Sequence, residues 1–161
     1  MEFKSGNFIF PHIPTPKQRH MSHSLTKIWT HAIWATKNRF PFINVAIEQT
    51  LYDLMNAEFT AMNSPARIIN GMPDHVHCLF RLDPQIALAD LIKQIKGSTS
   101  HFVNHKELTA EKFSWQTGYC AFSVSGSVLP RVELYIQHQK EHHADVSFQK
   151  EFEAMIKSYE K

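Results

Sequence analysis

Residues 67–82 read RIINGMPDHVHCLFRL, and their reading decides the fold. Arg67-Ile68-Ile69-Asn70 has the β-branched character of a short strand, Gly71-Met72-Pro73-Asp74 is turn chemistry, and His75 to Leu82 alternates as a further strand. Side chains on a strand point to opposite faces in turn. Val76, Cys78, Phe80 and Leu82 therefore form an apolar row, expected to pack on helices. His75, His77, Leu79 and Arg81 form the other row, which puts both imidazoles on one face within reach of a single ion.

Working outward, residues 25–37 (LTKIWTHAIWATK) are rich in β-branched and aromatic side chains and predict a strand that Pro41 ends. Asn44 is placed to cap a helix running to about Met62, with Ile47, Leu51, Leu54 and Met55 as its apolar stripe. Leu88, Leu91, Ile92 and Ile95 recur at i, i+3, i+4 and i+7, which predicts a second amphipathic helix over residues 87–104 with Lys93 and Lys96 on its opposite face. Residues 115–124 read as a fourth strand, ended by Ser125-Gly126. Pro130 suits the first turn of a helix carrying Tyr135 to about His143. Phe148, Phe152 and Ile156 mark a last helix.

The order β-α-β-β-α-β predicts an α+β, ferredoxin-like (RRM-like) antiparallel sheet with helices on one face and an added C-terminal helix bearing Tyr135. The sheet's other face is then available to a ligand or partner. Residues 1–21, with three prolines and little periodicity, read as a flexible arm or non-native leader, and residues 22–161 as one domain.

Composition bounds the function without naming it. The chain has 161 residues with 43% hydrophobic and 20% charged side chains, which is typical of a globular domain. No apolar run approaches the ~20 residues of a membrane helix, and no secretory leader is evident, so a cytoplasmic location is expected. Cys78 and Cys120 form no CxxC pattern and read as reduced thiols. A net charge of +2 is compatible with nucleic acid but too mild to identify it. The 11 histidines matter by position.

His-x-His alone does not make a metal site, because two ligands are too few and half-exposed strand histidines look the same. A third ligand has a candidate in Gln139. It lies four residues after Tyr135, on the same predicted helix face, with His142 one turn on. Gln139 can offer a carbonyl oxygen to a hard cation, and a mixed imidazole–oxygen site suits Mg²⁺ or Mn²⁺ better than structural zinc. Tyr135 would stand beside that cation. A phenol titrates at about 10, so it needs such help to act as a nucleophile. Taken singly, Tyr135 is better read as a half-buried aromatic on an amphipathic helix, and His142-His143 equally fits a cation pair at a helix C-terminus.

The ordered set of motifs is more specific than any one of them. Trp34-Ala35-Thr36-Lys37-Asn38-Arg39, Pro73-Asp74-His75-Val76-His77, Ile95-Lys96-Gly97-Ser98, Trp115-Gln116-Thr117-Gly118-Tyr119, Phe122-Ser123-Val124-Ser125, Tyr135-Ile136-x-x-Gln139 and His142-His143 occur in this order. Together they closely resemble the HUH single-tyrosine transposases of the smallest bacterial insertion sequences, including relatives associated with repeated extragenic palindromes. The resemblance covers roughly residues 25–155. It implies His75 and His77 as metal histidines, Tyr135 as nucleophile and Gln139 as third ligand. It also implies hairpins in single-stranded DNA as substrates, a 5′-phosphotyrosine intermediate with release of a free 3′-OH, and a homodimer whose sheets join and whose tyrosines often act in trans. Lys37, Arg39, Lys93 and Lys96 are sensible phosphate contacts, since single-strand binding needs a basic track. Trp115 and Tyr119 offer faces for base stacking, although packing in the fourth strand is the better account of them.

Three other readings compete. A replication initiator or relaxase would share the HUH element, though small size and a single tyrosine helix favour the transposase; a domesticated relative without mobile DNA would look the same. A histidine-triad hydrolase needs a third alternate histidine, where Leu79 stands. A non-enzymatic RRM-like module needs aromatics on its central strands, and the strand here presents histidines.

Overall fold

The computed structural model describes residues 25–142 together with residues 153 and 157. The expected N-terminal arm (residues 1–21) and the helix marked by Phe148, Phe152 and Ile156 lie outside the described residues. The elements are β1 (Ile28–Ala35), a 3₁₀ turn (Lys37–Arg39), α1 (Glu48–Ala61), β2 (Ala66–Met72), β3 (His75–Leu82), α2 (Leu88–His105), β4 (Cys120–Val124), α3 (Leu129–Gln137) and α4 (Gln139–His142). The strands form one antiparallel sheet in the order β2-β3-β1-β4, so the ferredoxin-like expectation holds.

The apolar row of β3 does what its alternation predicts. Val76, Cys78 and Phe80 join Ala32 and Trp34 of β1 in a core closed by Leu51, Met55 and Phe59 of α1 and by Leu91, Ile92, Ile95 and Val103 of α2. The α1 stripe is therefore Ile47, Leu51, Met55 and Phe59; Leu54 is only partly buried.

Several boundaries differ for identifiable reasons. Asn44 does not cap α1 directly. Its Oδ1 accepts from Ala46 N–H (2.9 Å) and its carbonyl from Ile47 and Glu48 N–H, a turn that delays the helix to Glu48. Trp115 belongs to no strand; it makes an isolated bridge to Thr36, and β4 begins only at Cys120. Gly71 and Met72 extend β2, leaving Pro73-Asp74 as the connection, with Met72 opposite His75 and Gly71 opposite Val76. A Cβ on Gly71 would sit 2.2 Å from His75 O, so the close approach of the two strands here requires glycine.

The second face of the sheet is not open, as the sequence reading had it. Leu79 and Val124 are buried there with Leu129 and Ile136 of α3, against Trp29, Ile68, Val132 and Tyr135. Polar ties pin α3 down. Arg67 Nε donates to Glu133 Oε2 (2.7 Å), and Asn70 Nδ2 donates to the carbonyls of Ile136 (2.8 Å) and Gln137 (3.1 Å). The predicted continuous helix is also interrupted: at His138 (φ −95°, ψ 19°) α3 ends, and Gln139 starts a new turn. Lys140 Nζ ties that turn to Glu48 Oε2 at 2.6 Å.

Candidate active site

Antiparallel register sets the site. Ile33 pairs with His77, Ala35 with His75, His31 with Leu79, and Asn70 with His77, so all of these share the face beneath α3. His75 and His77 are 1% and 0% exposed, and their ring centroids lie 5.2 Å apart. They are buried, rather than the half-exposed pair that unadorned strand residues would make.

Each ring is oriented through Nδ1. Asp74 Oδ1 lies 2.7 Å from His75 Nδ1, and His31 Nε2 lies 3.1 Å from His77 Nδ1. Asp74 is itself held. Arg39 Nε donates to its Oδ2 at 2.9 Å with a second contact from the same guanidinium, and Thr36 N–H donates to its carbonyl at 2.9 Å. Partial burial opposes ionisation of Asp74, but the hydrogen bonds from His75 and Arg39 outweigh it and hold the carboxyl below its usual range. Burial pushes the His31 imidazole down from 6.5 to about 4, so it is neutral at physiological pH.

Tyr135 of α3 is half-buried over these rings. Its ring centroid lies 5.8 Å from that of His77 and 6.2 Å from that of His31, edge-on to both. The tyrosine thus meets His77 and His31 of its own chain. Gln139 is fully buried, and its Oε1 is shielded from solvent, as are Nε2 of His75 and of His77. Among the described residues, no three His, Cys, Asp or Glu side chains group as metal ligands. An amide oxygen or a substrate oxygen would have to complete any cation's shell. The available donors, two imidazole nitrogens and an amide oxygen, fit a divalent cation that tolerates mixed ligands.

The predicted DNA contacts separate. Lys37 and Lys93 are exposed. Arg39 is ion-paired with Asp74. Lys96 Nζ donates to the carbonyls of Gln116 (2.6 Å) and Gly118 (2.8 Å), so two of its three donors bind the loop before β4. Its partial burial lowers its pKa. Lys93, Lys96, Trp115 and Tyr119 line one groove of about 460 Å³ between α2 and that loop. Trp115 is anchored at its base by Nε1–H donating to Thr99 Oγ1 (2.9 Å), and Tyr119 is exposed.

Sequence reasoning missed His31 and, beyond the turn and its place in the histidine motif, gave Asp74 no chemical role. A histidine in an otherwise apolar strand row was the available signal for His31. Asp74 was visible as the residue beside the pair.

Two solved structures share this architecture. A Deinococcus radiodurans protein whose crystal structure is described as that of a transposase superposes with a TM-score of 0.58 and 27% identity, covering 78% of this chain and 98% of its own. A REP-associated tyrosine transposase bound to a REP hairpin superposes with a TM-score of 0.59, covering 83% of this chain and 76% of its own; at 14% identity it supports the fold alone. The fold is therefore the α+β architecture that these two structures share. The family profile described as "Transposase IS200 like" matches residues 24–139. The ISDra2 transposase TnpA of Deinococcus radiodurans is 32% identical over 119 residues, which span 69% of this chain and 84% of that protein. The chain belongs to the IS200-like transposase family.

Proposed function

We propose that this transposase is a metal-dependent, single-tyrosine strand transferase that cleaves and rejoins single-stranded DNA at hairpin-marked element ends. The observation that carries this reading is the placement of Tyr135 edge-on over His77, 5.8 Å between ring centroids, on a face where His75 and His77 keep Nε2 away from their Nδ1 partners.

In the proposed reaction, Tyr135 Oη loses its proton and attacks phosphorus. A phosphotyrosine bond forms as the P–O3′ bond breaks, and O3′ leaves as a hydroxyl. A 3′-OH attacking that ester reverses the exchange and regenerates the phenol. The ester bond energy is conserved, so rejoining needs no nucleotide cofactor. A Mg²⁺ or Mn²⁺ ion held by Nε2 of His75, Nε2 of His77 and Oε1 of Gln139 would polarise the phosphate and offset its developing charge. Exposed Lys37 and Lys93 would contact the backbone of the strand. A homodimer joined through the edge of the sheet, with tyrosines exchanged between chains, would place the same groups together.

The face beneath α3 also weighs against an RRM-like module reading nucleic acid from an open sheet, because α3 occupies that face.

The test is to incubate the protein with end-labelled single-stranded hairpin DNA and Mn²⁺ and resolve the products on a denaturing gel. A covalent adduct is expected, absent in EDTA and absent in Tyr135→Phe. An adduct that survives Tyr135→Phe overturns the nucleophile assignment, and one that survives EDTA overturns the metal. Light scattering of the same sample reads the dimer.

A further inference from the structure

His31 is a buried polar side chain (2% exposed) for which the proposed chemistry has no use. It lies between the two groups that chemistry depends on, hydrogen-bonded to His77 and edge-on to Tyr135. The His31–His77 ring centroids are 5.3 Å apart, and the nitrogens between them 3.1 Å. Their difference is about two ring radii, so the nitrogens lie nearly on the line joining the centroids. The contact runs along the ring edges, as a hydrogen bond requires, and not through stacked faces.

A neutral imidazole has one N–H and one lone pair, so a single proton bridges this contact. If His31 Nε2–H is the donor, His77 accepts at Nδ1 and carries its own proton on Nε2, where it cannot bind a cation. If His77 Nδ1–H is the donor, His31 Nε2 accepts and His77 Nε2 keeps its lone pair. His75 supplies the reference. Its Nδ1 faces Asp74, whose carboxylate can only accept, so in the neutral ring the proton is on Nδ1 and the lone pair on Nε2.

We propose that His31 is a positioning residue that accepts a hydrogen bond from His77 Nδ1, holding His77 in the same tautomer and orientation that Asp74 imposes on His75, so that both Nε2 lone pairs serve one divalent cation. A carboxylate and an imidazole thus do the same work on adjacent ligands. The neutral acceptor adds no charge to a buried site, where a second carboxylate would be costly to desolvate. This inference rests on the metal-dependent reading above.

Two measurements test it. The first is the ring ¹⁵N spectrum of metal-free wild-type protein at neutral pH, which reports the tautomer of His77 directly and needs no variant. Protonated Nδ1 and unprotonated Nε2 are expected; the reverse overturns the proposal. The second is Mn²⁺ binding followed by electron paramagnetic resonance in wild type, His31→Gln and His31→Phe. Phenylalanine fills the space without an acceptor, and affinity is expected to fall about 10–100-fold. Glutamine offers an amide oxygen to His77 Nδ1–H, and is expected to restore most of that loss. Wild-type Mn²⁺ affinity and an unchanged His77 tautomer in His31→Phe would overturn the proposal. If wild type binds no Mn²⁺, the metal reading itself falls, and the metal-free tautomer still decides for or against the bond from His77 to His31.

Discussion

Oδ1 of Asp74 lies 2.7 Å from Nδ1 of His75, and through it an exposed arginine is connected to a buried ring. The carboxylate fixes the ring's tautomer and its orientation. Asp74→Ala removes both effects and is expected to lower Mn²⁺ affinity and the rate of adduct formation about 10–100-fold. Asp74→Asn keeps an acceptor without the charge and should fall in between. Both partners of the Arg39–Asp74 pair are partly solvated, so the ion pair itself contributes at most about 1 kcal/mol of stability. A rate loss that tracked a large fall in urea midpoint would mean Asp74 acts on the fold, and a wild-type rate in Asp74→Ala would remove it from the site.

His31 makes a prediction in the metal-free protein. Its folded-state pKa is depressed to about 4, below the unfolded value of 6.5. Between those values the unfolded chain binds a proton that the folded chain refuses. Stability is therefore full above pH 6.5, declines as pH falls toward 4, and levels off below. The shift corresponds to about 3 kcal/mol over that window. Urea unfolding in EDTA at pH 7.5 and pH 4.5 should show this decline in wild type, and His31→Gln should lose much less over the same interval. Parallel pH profiles for the two proteins would rule out His31 as the source.

Much of this architecture was legible because it depends on local periodicity. The alternation from His75 to Leu82 sorted the two faces correctly, and the spacing from Leu88 to Ile95 located α2. The burial of the histidine row was not legible. It depends on α3 landing on that face through Asn70 and Ile136, which are 66 residues apart in sequence. His31 was missed for the same reason: its partner lies 46 residues away, and only the paired register of β1 and β3 brings them together. The break at His138 was invisible too, since Tyr135 and Gln139 have ideal helical spacing. The apparent equivalence of Lys93 and Lys96 on one helix face concealed their different partners.

Those two lysines can be told apart by salt dependence. Lys96 holds the carbonyls of Gln116 and Gly118, whereas Lys93 is exposed on the same groove. If Lys93 contacts a phosphate, Lys93→Ala should reduce the slope of log K against log salt for a single strand by about 0.7, with little change in stability. Lys96→Met should instead loosen the 116–118 loop, seen as faster amide exchange there. Binding titrations from 50 to 300 mM salt decide between them. Equal slopes for Lys93→Ala and wild type would place the strand elsewhere.

Asn70 offers the sharpest separation of positioning from binding. Its amide donates to the carbonyls of Ile136 and Gln137, the end of α3, while its backbone pairs opposite His77. Helix ends leave carbonyls without intrahelical partners, and here one side chain from β2 satisfies two of them. Tyr135 immediately precedes Ile136, so the same contact fixes the height of the phenol above the histidine face. Asn70→Ala should cost about 1–2 kcal/mol in stability, in line with losing two side-chain-to-backbone hydrogen bonds. Apolar packing of Leu129 and Ile136 on Leu79, with the Arg67–Glu133 bridge, should keep α3 docked. The expected signature is therefore kinetic: hairpin affinity by fluorescence anisotropy stays within a few-fold, while single-turnover adduct formation falls by about tenfold or more, since misplacing a reacting group is costly. If affinity and rate fall together, Asn70 shapes the DNA surface. If neither changes, the apolar contacts and the arginine bridge suffice to place Tyr135.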